Sequence, residues 1–427
     1  MPERDVTETR ACDVLVVGGG PAGCAAAYWA AHAGHDVLLI EQSTHPRERA
    51  CGDALTPGAV GELISMGCDP VAARWHRHEG LRMTAHGRSL EMRWPCDERL
   101  PGYGVVVRRP RLDALTAARA RAAGAQIWTG THVTAPLITD GHLRGCHAVG
   151  SGTGGAPSGP LVAHARYVVI ADGPRSTFGR ALGTARTRTY AQGLAMRAYY
   201  PTPRHAEPWI ESVFALIDRD GGQLPGYGWV FPVGDGTANV GVGLLSHHDG
   251  NEAISLDRLF EQWTRQIPER WEIDPDGPHT PPVGGRLPMG GSVRPRSGPN
   301  WVVAGDAAGS VNPWNGDGIG PALGTGRLAA EVIGRALEAD DALELRRYET
   351  ELAARWQRYH HLGRIATRAL GRPGLMRRLT QLAIRSPQMG NLVMRVSTDL
   401  LRDDQRGGPE RIYRAASAMA GLWRDRS

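Results

Sequence analysis

Runs of apolar residues separated by glycine turns divide the first part of the chain into strands and helices. Residues 12–17 form a short apolar run, which a glycine turn joins to an alanine-rich segment beginning at Pro21. A second apolar run lies at 37–40 and ends at Glu41. A strand, a helix and a second strand in this order predict a β-α-β unit with parallel strands.

A different pattern, with a period of two, appears in residues 80–104 and 186–284. Apolar residues alternate with polar ones, as at Leu81 and Met83, and this period predicts the strands of a second, antiparallel sheet. Three aromatic residues alternate near position 230, so their rings point to one face of a strand. These residues are Tyr227, Trp229 and Phe231. Such a face usually belongs to a hydrophobic core, and a ligand pocket is the alternative.

The last part of the chain has helical spacing. A long helix is predicted from about Gly318 to Leu337, and residues 341–427 continue as arginine-rich helices with an interruption at 371–373. Between residues 375 and 396, apolar and basic positions are interleaved. This pattern indicates either helices that pack on the rest of the protein or a surface that contacts an anionic membrane. Both interpretations stay open.

Composition narrows the class of protein. With 427 residues, of which 41% are hydrophobic, the chain can bury a large core and form two or three domains. All 49 basic residues are arginine, so the net charge of +5 reflects a compositional bias and predicts no nucleic-acid partner. Six scattered cysteines without a C-x-x-C pair predict neither a metal site nor a disulfide framework, as in a reducing cytosol. No leader and no apolar run of roughly 20 residues is present, so we expect a cytoplasmic protein, soluble or peripheral on the inner face of the cell membrane.

The first turn has the spacing of a dinucleotide-binding loop. Gly18, Gly20 and Gly23 fit the pattern G-x-G-x-x-G, which requires a tight turn, close approach of a pyrophosphate and close packing of helix on strand. Glu41 lies 18 residues after Gly23, where an acidic residue binds an adenosine ribose. A solvated carboxylate at a strand end is the alternative for Glu41.

Two later strands also end in an acidic residue. The apolar run before Asp172 is followed by Gly173, and the run before Gly305 is followed by Asp306 and then by the opening of a long helix. Arg109 lies where another strand turns into a helix, a position at which arginine often forms only a surface pair. Cys51 is placed in a loop, and a small buried hydrophobe is its ordinary role.

Together the three strand ends resemble the FAD-binding fold of the aromatic hydroxylases. In that superfamily the glycine motif holds ADP, the Asp-Gly segment lies near the pyrophosphate, and the aspartate of Gly-Asp bonds the ribityl chain. The resemblance implies FAD, held by these residues: Gly18, Gly20, Pro21, Ala22, Gly23, Glu41, Cys51, Gly52, Asp53, Arg109, Asp172, Gly173, Gly305, Asp306, Pro313, Gly316, Asp317, Gly318 and Ile319.

Within that superfamily the chain is similar to the geranylgeranyl reductase family, and especially to actinobacterial menaquinone reductases. The resemblance is carried by Cys51-Gly52-Asp53, by Tyr227-x-Trp229-x-Phe231-Pro232 with Gly241-x-Gly243, and by Asn312-Pro313-x-Asn315-Gly316-Asp317-Gly318. It implies an α/β fold, in which a Rossmann-like FAD-binding domain of the aromatic-hydroxylase type is interleaved with an antiparallel β-sheet substrate domain and followed by a helical C-terminal region. The predicted domains are 1–79, 105–185 and 285–340 for FAD, 80–104 and 186–284 for substrate, and 341–427 for the helices.

The family resemblance implies a reductase that saturates a double bond of a prenyl chain, an apolar small-molecule substrate. The reduced flavin would supply a hydride, and the protein would supply an apolar cleft and a proton. Tyr227, Trp229 and Phe231 are the predicted cleft, with Gly241 and Gly243 leaving space for the ligand. Cys51, Tyr227 and Trp229 are the catalytic candidates. Cys51 is a hypothetical proton donor, although a thiol with a pKa of about 8.5 is a poor acid for an alkene.

Three alternatives remain for activity and partners. The same scaffold serves FAD-dependent monooxygenases and redox enzymes of natural-product biosynthesis. A halogenase is disfavoured because that family relies on an active-site lysine and the chain has none. A non-catalytic lipid escort is disfavoured by the intact FAD motifs.

No second glycine motif is visible for NAD(P)H, so electrons come from a docked nicotinamide or another external reductant. The oligomeric state stays open.

Overall fold

The computed structural model describes residues 8–44, 46–97, 100–214, 216–217, 222–246, 255–370, 373–401 and 411. Much of the last predicted region, residues 402–410 and 412–427, lies outside the described residues. The strands are β1 (Glu8–Val17), β2 (Val37–Ile40), β3 (Ala54–Leu55), β4 (His76–His78), β5 (Gly80–Ala85), β6 (Arg88–Arg93), β7 (Gly104–Val106), β8 (Gln126–Trp128), β9 (Thr131–Thr139), β10 (His142–Ser151), β11 (Ser158–Ile170), β12 (Ala185–Arg186), β13 (Gln192–Pro201), β14 (Trp209–Val213), β15 (Gly226–Pro232), β16 (Thr237–Ser246), β17 (Val283–Pro288), β18 (Val293–Arg294) and β19 (Trp301–Val303).

The helices are distributed over the whole described chain, and most of the long ones lie near its end. They are α1 (Pro21–His32), α2 (Pro57–Ser65), α3 (Arg109–Ala122), α4 (Thr177–Ala181), α5 (Leu256–Thr264), α6 (Ile319–Ala339), α7 (Arg346–Leu370), α8 (Pro373–Arg385) and α9 (Pro387–Ser397). Short 3-10 turns cover Glu269–Trp271, Gly305–Ala308 and Ala342–Leu345. The long helix that the sequence predicts from about Gly318 is α6.

The first sheet has seven strands in the order β8-β2-β1-β11-β10-β9, with β19 beside the end of β11. Strands β8, β2, β1, β11 and β19 run parallel, and β9 and β10 extend the sheet as an antiparallel hairpin. Every residue of β2 is buried, because one face packs in the cluster of α1 and α6 and the other packs beneath β10. Burial on both faces explains why this strand is a continuous apolar run. The predicted Rossmann-like FAD-binding fold is confirmed.

The second sheet also has seven strands, in the order β17-β13-β16-β15-β14-β5-β6. Its pairs are antiparallel as predicted, except that β5 and β14 run parallel, with Gly80 opposite Trp209. The chain between β6 and β14 passes through the first sheet, so no hairpin sets the direction of this pair. Strand β17 continues across position 285, where the sequence predicts a domain boundary, and it pairs with β13 of the second sheet.

A third sheet has three short strands in the order β3-β7-β4, and β5 and β6 of the second sheet lie between β4 and β7 in the chain. The predicted FAD-binding segment 105–185 begins within β7, which pairs with β3 and β4 in this third sheet. Three residues of β-branched sequence cannot specify their partner, because such runs fit any buried strand. This sheet positions the site: β3 follows the loop that contains Cys51, and β7 leads to Arg109 at the start of α3.

The helical C-terminal region packs on the second sheet. Helices α8 and α9 cover β5 and β6, where Ala383, Ile384 and Met394 join Met83 and Met92 in one core cluster. The interruption predicted at 371–373 corresponds to the break between α7 and α8. Among the described residues, no helix combines the length and the apolar character that crossing a membrane requires.

Candidate active site

The glycine loop after β1 is shaped by two close backbone contacts. Gly18 has a φ of 105°, and a Cβ atom there would lie 2.3 Å from the Ala171 carbonyl oxygen. A Cβ atom at Gly23 would lie 1.8 Å from the Gly18 carbonyl oxygen. At Gly20, the residue before α1, the nearest atom to a Cβ would be the Arg47 guanidinium at 3.5 Å. The first and third glycines therefore serve packing, and the second leaves the amino end of α1 open, as a pyrophosphate requires.

Glu41 lies directly against this loop. Its buried carboxylate accepts hydrogen bonds from the backbone N–H groups of Gly19 at 2.6 Å and Ser43 at 2.8 Å, and it pairs with Arg47 at 2.6 Å. This geometry excludes the alternative of a solvated carboxylate. A cavity of about 390 Å³ opens beyond it, lined by Thr44, Ala114, Ala117, Arg121, Thr129 and Gly154.

The other two strand ends meet the same loop. A Cβ atom at Gly18 would lie 3.0 Å from the Asp172 Cα, and one at Gly305 would lie 2.7 Å from the Ala22 Cβ. One Asp172 carboxylate oxygen accepts the Phe178 N–H at 3.0 Å, while the other is buried without a partner among the described residues. An unpaired buried acceptor at a nucleotide loop fits a hydroxyl group of the cofactor, as in its ribose or ribityl chain, and not the pyrophosphate itself, which has no hydrogen to donate. The three strand ends therefore converge, as FAD binding requires.

Arg109 is the positive centre of the site. Its guanidinium bonds the buried Asp113 carboxylate at 3.1 Å, and Asp113 also accepts Arg47 at 3.1 Å. Asp306 lies near enough for the Arg109 charge to lower its pKa, but burial dominates and raises the pKa of Asp306 to about 6. Burial likewise raises the pKa of Asp317 to about 6, although its carboxylate accepts the Ile319 N–H.

The loop Cys51–Asp53 is held in place by its last residue. Asp53 is fully buried with a φ of 63°, and its carboxylate accepts hydrogen bonds from the Tyr199 hydroxyl and from the Asn239 amide at 2.9 Å. Burial raises the pKa of Asp53 to about 6 and that of the Cys51 thiol to about 12. Cys51 is therefore a protonated and very weak acid. The Asn239 amide also donates to the Cys51 carbonyl oxygen at 2.9 Å.

Tyr199 and Asn239 are site residues that the sequence analysis missed. Two guanidinium groups lie over the Tyr199 ring, Arg108 at 4.0 Å and Arg197 at 4.5 Å from its centroid. Asn239 carries a detectable signal, because it is a polar residue inside the apolar strand β16 and a buried amide must find hydrogen-bond partners. Nothing in the sequence marks Tyr199 as a site residue, since tyrosine is common in strands.

The aromatic strand β15 lies against two predicted flavin loops. The rings of Tyr227, Trp229 and Phe231 follow one another with centroids 6.0 Å apart, as their alternation predicts. A Cβ atom at Gly52 would lie 3.1 Å from the Phe231 ring. The Tyr227 hydroxyl donates to the Asn315 carbonyl oxygen in the loop before α6. The predicted aromatic face and the predicted cofactor loops therefore form one site.

The space above Gly241 differs from the expectation. Gly241 was expected to leave room for a ligand, but the Trp229 indole fills this space, and a Cβ atom at Gly241 would lie 2.1 Å from the indole. Trp229 is only 5% exposed, and its ring N–H donates to Asn239 at 2.9 Å. Its indole thus covers Gly241 of the neighbouring strand β16. Tyr227 and Phe231 are partly exposed and remain the accessible part of the aromatic face.

A family profile described as an FAD binding domain matches residues 11–361. The chain belongs to this family. The menaquinone reductase of Mycobacterium tuberculosis is 38% identical over 422 residues, which cover 96% of each chain. Digeranylgeranylglycerophospholipid reductase 1 of Methanopyrus kandleri is 32% identical over 354 residues, covering 81% of this chain and 86% of that protein. The protein is thus an FAD-dependent oxidoreductase of the geranylgeranyl reductase family, which confirms the prediction.

A solved structure shows the same fold. A geranylgeranyl bacteriochlorophyll reductase-like protein from Thermoplasma acidophilum superposes with a TM-score of 0.76 at 22% identity, covering 96% of this chain and 100% of that one. FAD as the cofactor is confirmed by the family match, and the cradle of glycines and the unpaired Asp172 oxygen fit it. The roles of the individual site residues stay predictions.

Proposed function

We propose that the protein is a reductase that saturates a carbon–carbon double bond in a prenyl chain, such as the tail of a menaquinone. The proposal rests on the position of the aromatic strand β15. This strand contacts the loop of Gly52 through Phe231 and the loop of Asn315 through Tyr227. An apolar surface at that place can hold a hydrocarbon chain against the cofactor loops. The similarity to menaquinone and prenyl-lipid reductases supports the same class of substrate.

The bound FAD supplies the electrons for such a reduction. The protein must orient the alkene and exclude water, which the rings of Tyr227 and Phe231 do by presenting an apolar surface beside the two loops. A proton must also be delivered. Near neutral pH the Asp53 carboxyl is a far better proton source than Cys51, because their pKa values are about 6 and about 12. Asp53 is mostly ionised at neutral pH, but its pKa of about 6 lets it take up and release a proton readily, and we infer that Asp53 relays the proton and that Cys51 shapes the loop.

Mass spectrometry tests this function. The FAD-loaded protein is reduced with dithionite without air and incubated with menaquinone or a geranylgeranyl lipid, and free FAD with dithionite is the control. We expect a product with two additional hydrogen atoms only when protein is present. A parallel incubation in air with NADPH tests the monooxygenase alternative, since a product that gains oxygen would replace this proposal.

Helices α8 and α9 are the proposed contact with the membrane in which a prenyl lipid resides. Residues 373–397 contain four arginines and no acidic residue, and Leu379 and Leu382 are 44% and 52% exposed. Exposed leucines among basic residues favour an anionic bilayer surface. The double variant Leu379→Gln and Leu382→Gln should reduce sedimentation with phosphatidylglycerol vesicles, and unchanged sedimentation would contradict this contact.

A further inference from the structure

A group of arginines lies at the border of the two large sheets, outside the residues discussed so far. We call it the arginine rim, and it consists of arginines whose charges act on one another: Arg186, Arg188, Arg286, Arg294, Arg364 and Arg368. Strand β12, which ends at Arg186, pairs with β18, which ends at Arg294. Arg286 belongs to β17 and Arg364 to α7. Four separate parts of the chain therefore bring positive charge to one place.

Tyr190 is the centre of this group. The Arg186 guanidinium donates to the Tyr190 carbonyl oxygen at 3.2 Å, and the Arg364 guanidinium lies 4.6 Å from the centroid of the Tyr190 ring. Arg364 also donates to the Gly290 carbonyl oxygen at 2.7 Å. These contacts fix the positions of two guanidinium groups but use only part of their donors, since each guanidinium has five N–H groups.

The rim is poorly neutralised. Among the described residues Glu349 is its acidic partner, and it pairs with Arg294 at 3.2 Å and with the neighbouring Arg296 at 2.7 Å. No acidic partner is recorded within the described chain for Arg186, Arg188, Arg286, Arg364 or Arg368. Burial, together with the charges of Arg286 and Arg188, lowers the pKa of Arg186. Most of these side chains are exposed, so the group forms a positively charged surface, and such a surface attracts an anion.

The rim adjoins the active site. Leu287 follows Arg286 in β17 and points to the opposite face of the strand, where a Cβ atom at Gly316 would lie 3.4 Å from its side chain. A Cβ atom at Gly290 would lie 3.4 Å from the Arg364 side chain and 3.6 Å from Pro313. Gly316 and Pro313 both belong to the loop that the aromatic strand contacts. An anion at the rim would therefore belong to a molecule that also reaches the site.

We propose that the arginine rim is a phosphate-binding subsite for a small molecule that takes part in the reaction. Guanidinium groups bind phosphate oxygens through two parallel hydrogen bonds, and their fixed planar shape suits a pyrophosphate. Two molecules of a prenyl reduction carry this group: a nicotinamide dinucleotide that brings electrons, and a prenyl diphosphate that is the substrate. That the phosphate belongs to one of these two molecules rests on the proposed function, whereas the proposal that the arginine rim binds a phosphate group does not.

Calorimetric titration of the FAD-loaded protein with inorganic pyrophosphate tests the subsite directly. The variants Arg186→Gln, Arg188→Gln and Arg364→Gln should each weaken binding about tenfold, because each removes a charged donor. Arg265→Gln removes an exposed arginine of another surface and should bind as the unchanged protein does. Equal pyrophosphate affinity in all four variants, or no binding by the unchanged protein, would overturn the proposal.

Competition then separates the two sources. NADPH and geranylgeranyl diphosphate are each titrated against bound pyrophosphate, and displacement by either one identifies the molecule that carries the phosphate. Displacement by neither would show an adventitious ion only and would overturn the proposal. Loss of binding to phosphatidylglycerol vesicles in the Arg186 and Arg364 variants, with pyrophosphate affinity intact, would also overturn it. Failure of the proposed reductase activity leaves the pyrophosphate titration unaffected, so the two proposals fail separately.

Discussion

On the cofactor side of the site, contacts stay within the first sheet and the helices packed on it, and on the aromatic side they join different sheets. The Gly19 N–H donates to Glu41, 22 positions away, within one β-α-β unit. The Asn239 amide donates to the Cys51 carbonyl oxygen, 188 positions away, across two different sheets. The cofactor side can therefore form together with the first sheet alone, whereas the aromatic side forms only when different sheets pack against each other. Substitutions on the two sides should therefore fail differently.

The largest effect is expected on the cofactor side from Gly23→Ala. The new Cβ would lie 1.8 Å from the Gly18 carbonyl oxygen, so either α1 or the loop must move. Because this contact lies within backbone that cannot rotate away, we expect a loss of about 3 kcal/mol in the free energy of unfolding and loss of bound FAD. Urea unfolding and the flavin absorbance of the purified protein measure both.

Gly20→Ala is the matched control for that substitution. Its Cβ would meet only the flexible end of Arg47 at 3.5 Å, and the φ of −82° at this position suits alanine. The variant should keep the stability of the unchanged protein and bind FAD more weakly, because the methyl group stands where the pyrophosphate approaches. If Gly20→Ala and Gly23→Ala unfold alike, the division between packing and binding glycines is wrong.

A smaller effect is expected on the aromatic side from Gly241→Ala. Its Cβ would lie 2.1 Å from the Trp229 indole, whereas a Cβ at Gly243 would lie 3.6 Å from it, an ordinary contact. We expect Gly241→Ala to cost about 2 kcal/mol, because the Cβ would displace the indole and would also lie 2.6 Å from the Met196 carbonyl oxygen, and Gly243→Ala to cost little. Tryptophan fluorescence and urea unfolding report the difference. Equal behaviour of the two variants would show that the indole does not depend on this glycine.

The same division explains what the sequence could predict. The glycine loop, the acidic Glu41, the three strand ends and the two large sheets could be predicted from local patterns in the sequence, whereas the family was inferred from the resemblance of separated motifs to known enzymes. The filling of Gly241 by an indole could not be predicted, because it depends on the rotamer that Trp229 adopts once Asn239 accepts its N–H. The hydrogen bond from the Tyr199 hydroxyl to Asp53 could not be predicted either, since nothing in the segment around Asp53 indicates Tyr199.

The smallest effect is a dependence of stability on pH that arises at Asp53, where the two sides meet. Burial raises the pKa of this carboxyl in the folded protein to about 6, above its ordinary value near 3.8. A group whose pKa is higher in the folded state binds more protons there than in the unfolded chain. Its contribution to stability is therefore complete at low pH and is lost as the pH rises through about 6.

Asp53→Asn isolates this contribution. Asparagine tolerates the φ of 63° at this position, and its oxygen can still accept from Tyr199, so the fold and the hydrogen bond are kept. Between pH 5 and pH 8 the unchanged protein should lose about 1.4 kcal/mol more in the free energy of unfolding than the variant does, the equivalent of one pKa unit. Asp306 and Asp317 titrate in the same range, but they are present in both proteins and cancel in the difference. Parallel pH profiles in urea unfolding would mean that the Asp53 proton is already lost at pH 5, and Asp53 would then be no proton source for the reaction.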